Sequence, residues 1–163
     1  MIETLYTALL LAVGAADVNS VNNQMAAQSL ETTRYQATSF WANANRNKLL
    51  TLVSDLDADS TKELPAVKEG QSVINGGLLP DTYGLVLTDR FKRLFGYCSY
   101  DHGTMKTSSG YYQGIDTPND ETVIGVVISS GADGLFQSDC KDLLSREAQN
   151  DDLAIYITQG QIP

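Results

Sequence analysis

The chain is short of histidine, cysteine and positive charge, and it contains no long uninterrupted apolar run. His102 is the one histidine, which excludes metal centres built on two or three histidines of a single chain. The two cysteines, Cys98 and Cys140, form no CxxC pair and supply no zinc site without other ligands. Basic residues number 11 against 20 acidic ones, for a net charge of -9. A nucleic-acid surface needs a cationic field, so DNA and RNA are not expected partners. The longest apolar stretch, Leu5 to Ala16, is interrupted by Tyr6 and Thr7 and is shorter than the roughly 20 residues of a membrane span. It carries no preceding basic region of the kind that marks a signal peptide, and reads as a buried first helix, with a clipped or atypical membrane segment as the alternative.

What is present is enough for one core: 163 residues, 42% of them hydrophobic, read as a single domain. The organising stretch runs from Val21 to Leu56. Small and apolar positions Ala26, Leu30, Thr33, Ala37, Phe40 and Ala44 recur in steps of three and four, so they share one side of a helix, which Trp41 widens. Leu49, Leu52, Val53 and Leu56 continue the pattern, while Gln28, Glu31, Arg34 and Gln36 mark a wet face. A helix of roughly 30 residues spans about 45 Å. The polar run Asn43 to Lys48 interrupts the dry face, and two shorter helices broken there are the alternative. Upstream, Asp17, Asn19 and Ser20 are placed to cap or restart the helix.

The spine is expected to end in the acidic cluster before Pro65, which gives segments 1–56 (helical), 57–80 (connecting) and 81–163 (β-rich). Strands are expected at Tyr83–Thr88, Leu94–Tyr100, Thr122–Ser130 and Leu153–Thr158, with the third central. A short helix is expected over Lys141–Ala148, and the glycine-containing segment Asp101–Asp120 reads as a loop.

Asp55, Asp57 and Asp59 imitate the alternating oxygen ligands of a calcium loop, but Ser60 and Ala66 stand where glycine and glutamate are required. A solvated helix end explains them better. A second acidic grouping is distributed: Ser130 and Asp133 lie in one turn, Asn150, Asp151 and Asp152 in another. If folding joins these turns they offer calcium hard oxygen ligands; otherwise Asp133 belongs to a glycine turn and Asp151 or Asp152 leads into the last strand. His102 lies beside Asp101 and near Cys98, yet a nucleophile needs a base within hydrogen-bond reach, and an exposed loop histidine is the simpler reading. No catalytic residue and no certain cofactor is assigned. The chain alone leaves the state of the cysteines open; a bridge would stabilise the fold by roughly 4 kcal/mol and imply an oxidising compartment.

Three segments, TDRFKRLFGYCSYD, VIGVVISSGADGLFQSDC and NDDLAIYI, together resemble the C-terminal half of bacterial type IV minor pilins and type II secretion pseudopilins. The matching positions are Asp89, Arg90 and Phe91 before Tyr97 and Cys98; then Ile128, Ser129, Gly131, Asp133, Gly134, Gln137 and Cys140; then Asn150, Asp151 and Asp152. The resemblance implies an α+β pilin fold: a long N-terminal helical spine on a small antiparallel sheet, with a Cys98–Cys140 disulfide fastening the C-terminal region. It implies calcium near Asp133 and Asp151 or Asp152, and assembly through Leu30, Ala37, Phe40 and Ala44 on the spine. The partners it implies are other pilin subunits, the assembly machinery and a surface receptor. The location it implies is periplasmic or extracellular and filament-associated, with an inner-membrane anchor as an option for a full-length precursor. The competing reading is an extracellular module that binds protein or glycan through Tyr100, Tyr111 and Tyr112 without entering a filament.

Overall fold

A computed structural model describes residues 2–55, 59–106 and 109–163, with side chains described from residue 20 onward. Two units are resolved, Met1–Arg34 and Tyr35–Pro163. Helix α1 runs Ile2–Leu49 without the restart expected at Asp17 to Ser20 and without a break at Asn43 to Asn47. The expected burial of the opening run lies outside the described side chains. In the first unit residues 20–34 are all exposed, Val21, Met25 and Leu30 among them. Among the described residues no helix is long and apolar enough to cross a membrane.

In the second unit the last part of α1 lies against a small sheet. The residues it buries are Thr38, Ala42, Asn45 and Leu49, in steps of four, three and four that keep one helix face against one surface. Phe40 and Ala44 are exposed and Ala37 is half-buried, so the sheet is met by a different stripe of the helix from the one that carries the apolar spacing. After Leu49 a single 3-10 turn, Leu50–Leu52, closes the helix, ahead of the acidic cluster expected to end it. The reason is packing: Leu50, Leu52 and Val53 turn onto the core that Leu49 enters, and Ser54 then pairs with Glu63 through two backbone hydrogen bonds of 3.0 and 2.9 Å. Leu56 and Asp57 lie outside the described residues.

The strands are β1 (Gly77–Leu78), β2 (Gly96–Asp101), β3 (Tyr112–Gln113), β4 (Val123–Ser129) and β5 (Leu153–Thr158). The main sheet has the order β1-β2-β4-β5 with every neighbour antiparallel, and β3 pairs parallel to the end of β2. β2 and β4 are inner strands and every residue in them is buried. Burial on both faces explains why VIGVVIS is an unbroken apolar run rather than an alternating one. Tyr97, Ile124, Val127 and Ile157 belong to the helix side, with Phe95 and Leu64; Cys98, Tyr100, Val126 and Ile128 belong to the other side, with Leu143 and Phe136. Ile124 and Val127 share a side although three apart because the register shifts between Val123 and Gly125, a bulge that adds one residue to β4.

Two expected elements take another form. Tyr83–Thr88 is not a strand: it bends at Tyr83, makes one isolated bridge, Thr88 to Leu94, and is tied to α1 through Val86 and Asn45. The short helix α2 covers Cys140–Leu144, beginning earlier and ending sooner than expected, with Asp139 capping it by accepting a hydrogen bond from Lys141 N.

Candidate functional site

The region that collects the most specific contacts is the end of the sheet where β4 finishes and β5 begins. Asp89, 5% exposed, stands at its base. Its Oδ1 accepts from Phe91 N and Arg93 N at 2.9 Å each, which winds residues 89–93 into a tight turn, and its Oδ2 accepts from Ser129 Oγ at 2.5 Å. That turn also meets α1. Arg90 N donates to Thr38 Oγ1 at 3.2 Å, the Arg90 guanidinium sits 4.8 Å from the Trp41 ring centre, and Phe91 meets Tyr35 edge-on at 5.1 Å. In the sequence Asp89 stands out only as a position of the family resemblance, ahead of Tyr97 and Cys98; its hold on Ser129 across the fold carries no local signal.

The two acidic turns do come together. Gly131 and Gly134 adopt φ of 62° and 75°, the left-handed conformation that tolerates glycine best, and fold residues 131–134 back on themselves. Asp151 Oδ2 accepts from Ala132 N at 3.0 Å, Asp133 N at 3.4 Å and the Tyr35 hydroxyl at 3.4 Å. Arg93 Nη2 closes the other side by donating to Ala132 O at 3.0 Å. Asp152 Oδ2 accepts from Gln137 N, Ser138 N and Ser138 Oγ at 3.0, 2.8 and 2.7 Å. Asp133 is exposed and accepts from Leu135 N and from the Gln137 side-chain amide. All three candidate calcium ligands therefore already receive N–H donors: Asp151 and Asp152 join the two turns by accepting from backbone amides, and Asp133 accepts within its own turn. Among the described residues no group of three or more His, Cys, Asp or Glu side chains is arranged to hold a metal ion. Burial pushes the Asp152 carboxyl above the usual carboxylate range, against the Ser138 and Gln137 donors that pull it down. Asp152 Oδ1, Ser130 Oγ and Gln137 Oε1 are buried without a hydrogen-bond partner among the described residues.

In the other acidic cluster Asp59 serves the backbone. Asp59 accepts from Thr61 N at 2.9 Å, Thr104 N at 2.9 Å and Met105 N at 3.2 Å, and these amides, those of Thr61 and Met105 first, lower its carboxyl to about 2. It anchors the loop after β2 to the segment after α1.

His102 is fully buried, contrary to the exposed position expected of it. Ile115 N donates to its Nδ1 at 2.9 Å, so Nδ1 carries no proton, and Nε2–H donates to Val123 O at 2.8 Å. Burial lowers its affinity for a second proton. Cys98 and Cys140 are bridged, fully buried and 5.7 Å apart at Cα, and the Tyr100 hydroxyl donates to Cys140 O at 2.7 Å. Cys98 and His102 are thus both committed to structure, and the pairing considered for them does not form. Tyr100 is buried as well, leaving Tyr111 and Tyr112, both half-buried, beside a hollow of about 140 Å³ lined also by Asn75, Gly76 and Ser99.

No family model matches the chain, and neither the curated proteins nor the solved structures contain a match to it.

Proposed function

We propose that the protein is a structural, non-enzymatic subunit of a pilus-like filament, a minor pilin or pseudopilin-like protein that joins other subunits through its helix. The observation that carries this reading is Phe40: it stands 71% exposed on α1, while the sheet is met by Thr38, Ala42, Asn45 and Leu49. A phenylalanine left in water on a helix whose sheet-facing stripe is already filled is what a helix-mediated contact requires. Leu30 and Ala44 are exposed too. A head fastened by a buried disulfide suits a subunit that works in an oxidising compartment, periplasmic or extracellular.

The test is Phe40→Glu, with Ala37→Glu as a companion. Phe40→Glu is expected to keep the melting temperature and the disulfide while incorporation into filaments falls, read by shear fractionation and by crosslinking from Phe40→Cys. Full incorporation of a correctly folded Phe40→Glu protein overturns the proposal. A second reading, attachment of a small group in the Tyr111 and Tyr112 hollow, draws on the 140 Å³ space there. It predicts saturable ligand binding that Tyr111→Ala removes and Phe40→Glu leaves intact.

A further inference from the structure

The two edges of the main sheet are treated differently by the fold. β1 is two residues long, and Leu78 is bracketed from outside by Lys68, whose N–H and C=O exchange hydrogen bonds with it at 2.9 and 2.8 Å. That edge is short and covered. β5 is six residues long and lies at the other end of the order β1-β2-β4-β5; β4 is its only strand partner among the described residues. Its sequence, LAIYIT, contains no charge, no proline and no glycine, and all of it except Ile157 is half-exposed. Free edges are usually blunted by lysine, proline or a bulge, because an unpaired row of N–H and C=O groups templates another strand. The one bulge at this end lies in β4, between Val123 and Gly125, and leaves β5 regular.

The direction of the free groups follows from the strand's end. Gln159 N donates to Thr122 O, toward the β4 side, whereas Thr158 N turns the other way and donates to the Gln161 side chain at 3.2 Å. Alternation along an antiparallel strand then sends the N–H and C=O groups of Leu153, Ile155 and Ile157 to β4 and those of Ala154 and Tyr156 outward. Gln161 caps the outward row at Thr158.

We propose that β5 is a strand-addition edge that pairs antiparallel with β5 of a second copy of this chain about a two-fold axis at Ile155. Three features select this occupant and this register. With Ile155 opposite its own copy, Ala154 of each chain faces Tyr156 of the other, so both outward residues of both chains exchange hydrogen bonds and a small side chain lies opposite a large one. A register centred on Tyr156 instead places Ala154 against Thr158, whose N–H is already taken by Gln161. Charge selects the antiparallel direction: Asp151 and Asp152 precede β5, and no charged side chain follows it from Gln159 to Pro163. Parallel pairing sets the four aspartates of the pair side by side; antiparallel pairing sets Asp152 opposite Thr158. The contact is isologous and closes at two copies, so it differs in kind from the helix contact of a filament. One strand pair buries less area than a standard interface, and the association is accordingly a concentration-dependent equilibrium.

The test uses the whole chain. Sedimentation velocity across a concentration series is expected to move from monomer to dimer. Over the same series, amide exchange at Ala154 and Tyr156 should slow several-fold while Leu153, Ile155 and Ile157 stay protected throughout. Ala154→Pro, which removes an outward N–H, and Ala154→Lys, which keeps the backbone and adds a charge to the edge, are both expected to leave monomer only, with the disulfide and the amide protection of β4 retained. Exchange at Ala154 and Tyr156 that is independent of concentration, or one sedimenting species at all concentrations, overturns the proposal. A dimer that persists in both Ala154 variants overturns it equally; if that dimer is lost in Phe40→Glu, the contact belongs to the helix and the filament reading stands without this one.

Discussion

Asn45 on α1 and Val86 in the chain before β2 exchange two hydrogen bonds: Asn45 Nδ2 donates to Val86 O at 2.8 Å, and Val86 N donates to Asn45 Oδ1 at 2.8 Å. A primary amide presents the same donor and acceptor pair as a peptide group, so a helix side chain here takes the place of a neighbouring strand. Asn45 is 2% exposed and lies in the stripe that meets the sheet, which makes it the point where helix, loop and core are held in register. Replacing it by leucine supplies the volume and leaves both Val86 groups without their partner. The expected cost is about 2–3 kcal/mol, the price of stranding partly buried backbone groups. Urea unfolding of Asn45→Leu measures it, and an unchanged midpoint removes Asn45 from this role.

The same pair shows why part of the fold was hidden in the sequence. YGLVLT has the composition of a strand, but the groups of Val86 at its middle are met by the side chain of Asn45, far upstream, and no local pattern reports that. On α1 two stripes obey helical spacing. Leu30, Ala37, Phe40 and Ala44 look drier than Thr38, Ala42, Asn45 and Leu49, and hydropathy chose the first for the dry side, whereas satisfied hydrogen bonds let a threonine and an asparagine be buried in the second. β4 was legible as a nearly continuous apolar run, and β2 and β5 as short stretches rich in aromatic or β-branched residues beside turn residues. His102 was not, because its two backbone partners, Val123 and Ile115, come from separate later segments.

The disulfide closes a separation of 42 residues, for which loop-closure entropy gives roughly 4 kcal/mol of stabilisation. It lies under α2 on the face of the sheet opposite α1, within the cluster that contains Tyr100, Val126, Ile128 and Leu143. Cys98→Ala with Cys140→Ala is expected to lower stability by about 2–5 kcal/mol. Intact mass under denaturing alkylation should show both thiols protected before reduction and both modified after it. Two freely alkylated thiols in protein recovered from an oxidising compartment would break the claim.

Acid should loosen the loop between β2 and β4 through His102. Its folded pKa is depressed below the ordinary 6.5 by burial, so below that pH the unfolded chain takes up a proton that the folded chain refuses. The stabilisation is therefore complete above about 6.5 and is lost as pH falls through the folded value. The proton also enters at Nδ1, the atom that accepts from Ile115 N. The hydrogen bonds to Val123 and Ile115 act against burial, and the charges of Lys106, which opposes protonation, and Asp101, which favours it, act less strongly still. Because His102 is the one histidine, its ring resonances titrate without overlap. A midpoint at or above 6.5 in the folded protein contradicts this account. Asp59 acts separately: with its carboxyl near 2, it stays ionised and keeps its hold on Thr104 and Met105 down to about that pH.

The last prediction separates two explanations of the acidic turns. If Asp133, Asp151 and Asp152 are there to accept backbone N–H groups, the turns hold without an ion, and calcium at moderate salt leaves the melting temperature where it was. Asp151→Ala then costs about 1–3 kcal/mol in chelator and in calcium alike, because Ala132 and Asp133 lose a charged acceptor in either solution. Asp152→Asn is the sharper variant. Its remaining carbonyl can still accept from Gln137, Ser138 and the Ser138 hydroxyl, while the charge that burial disfavours is gone, so in chelator it is expected to be at least as stable as the unmodified protein. A cation would reverse that order. Calcium would then add stability to the unmodified protein, titration calorimetry would show saturable binding that survives moderate salt, and Asp152→Asn would lose both, since calcium needs six to eight oxygens and a buried carboxylate supplies charge as well as geometry. Such a result would place the ion against Asp152 Oδ1, Ser130 Oγ and Gln137 Oε1, the three buried oxygens of these turns that the described residues leave without a donor. We expect the first outcome, because Asp133, Asp151 and Asp152 each already accept at least two hydrogen bonds, Asp151 and Asp152 from the facing turn and Asp133 from its own.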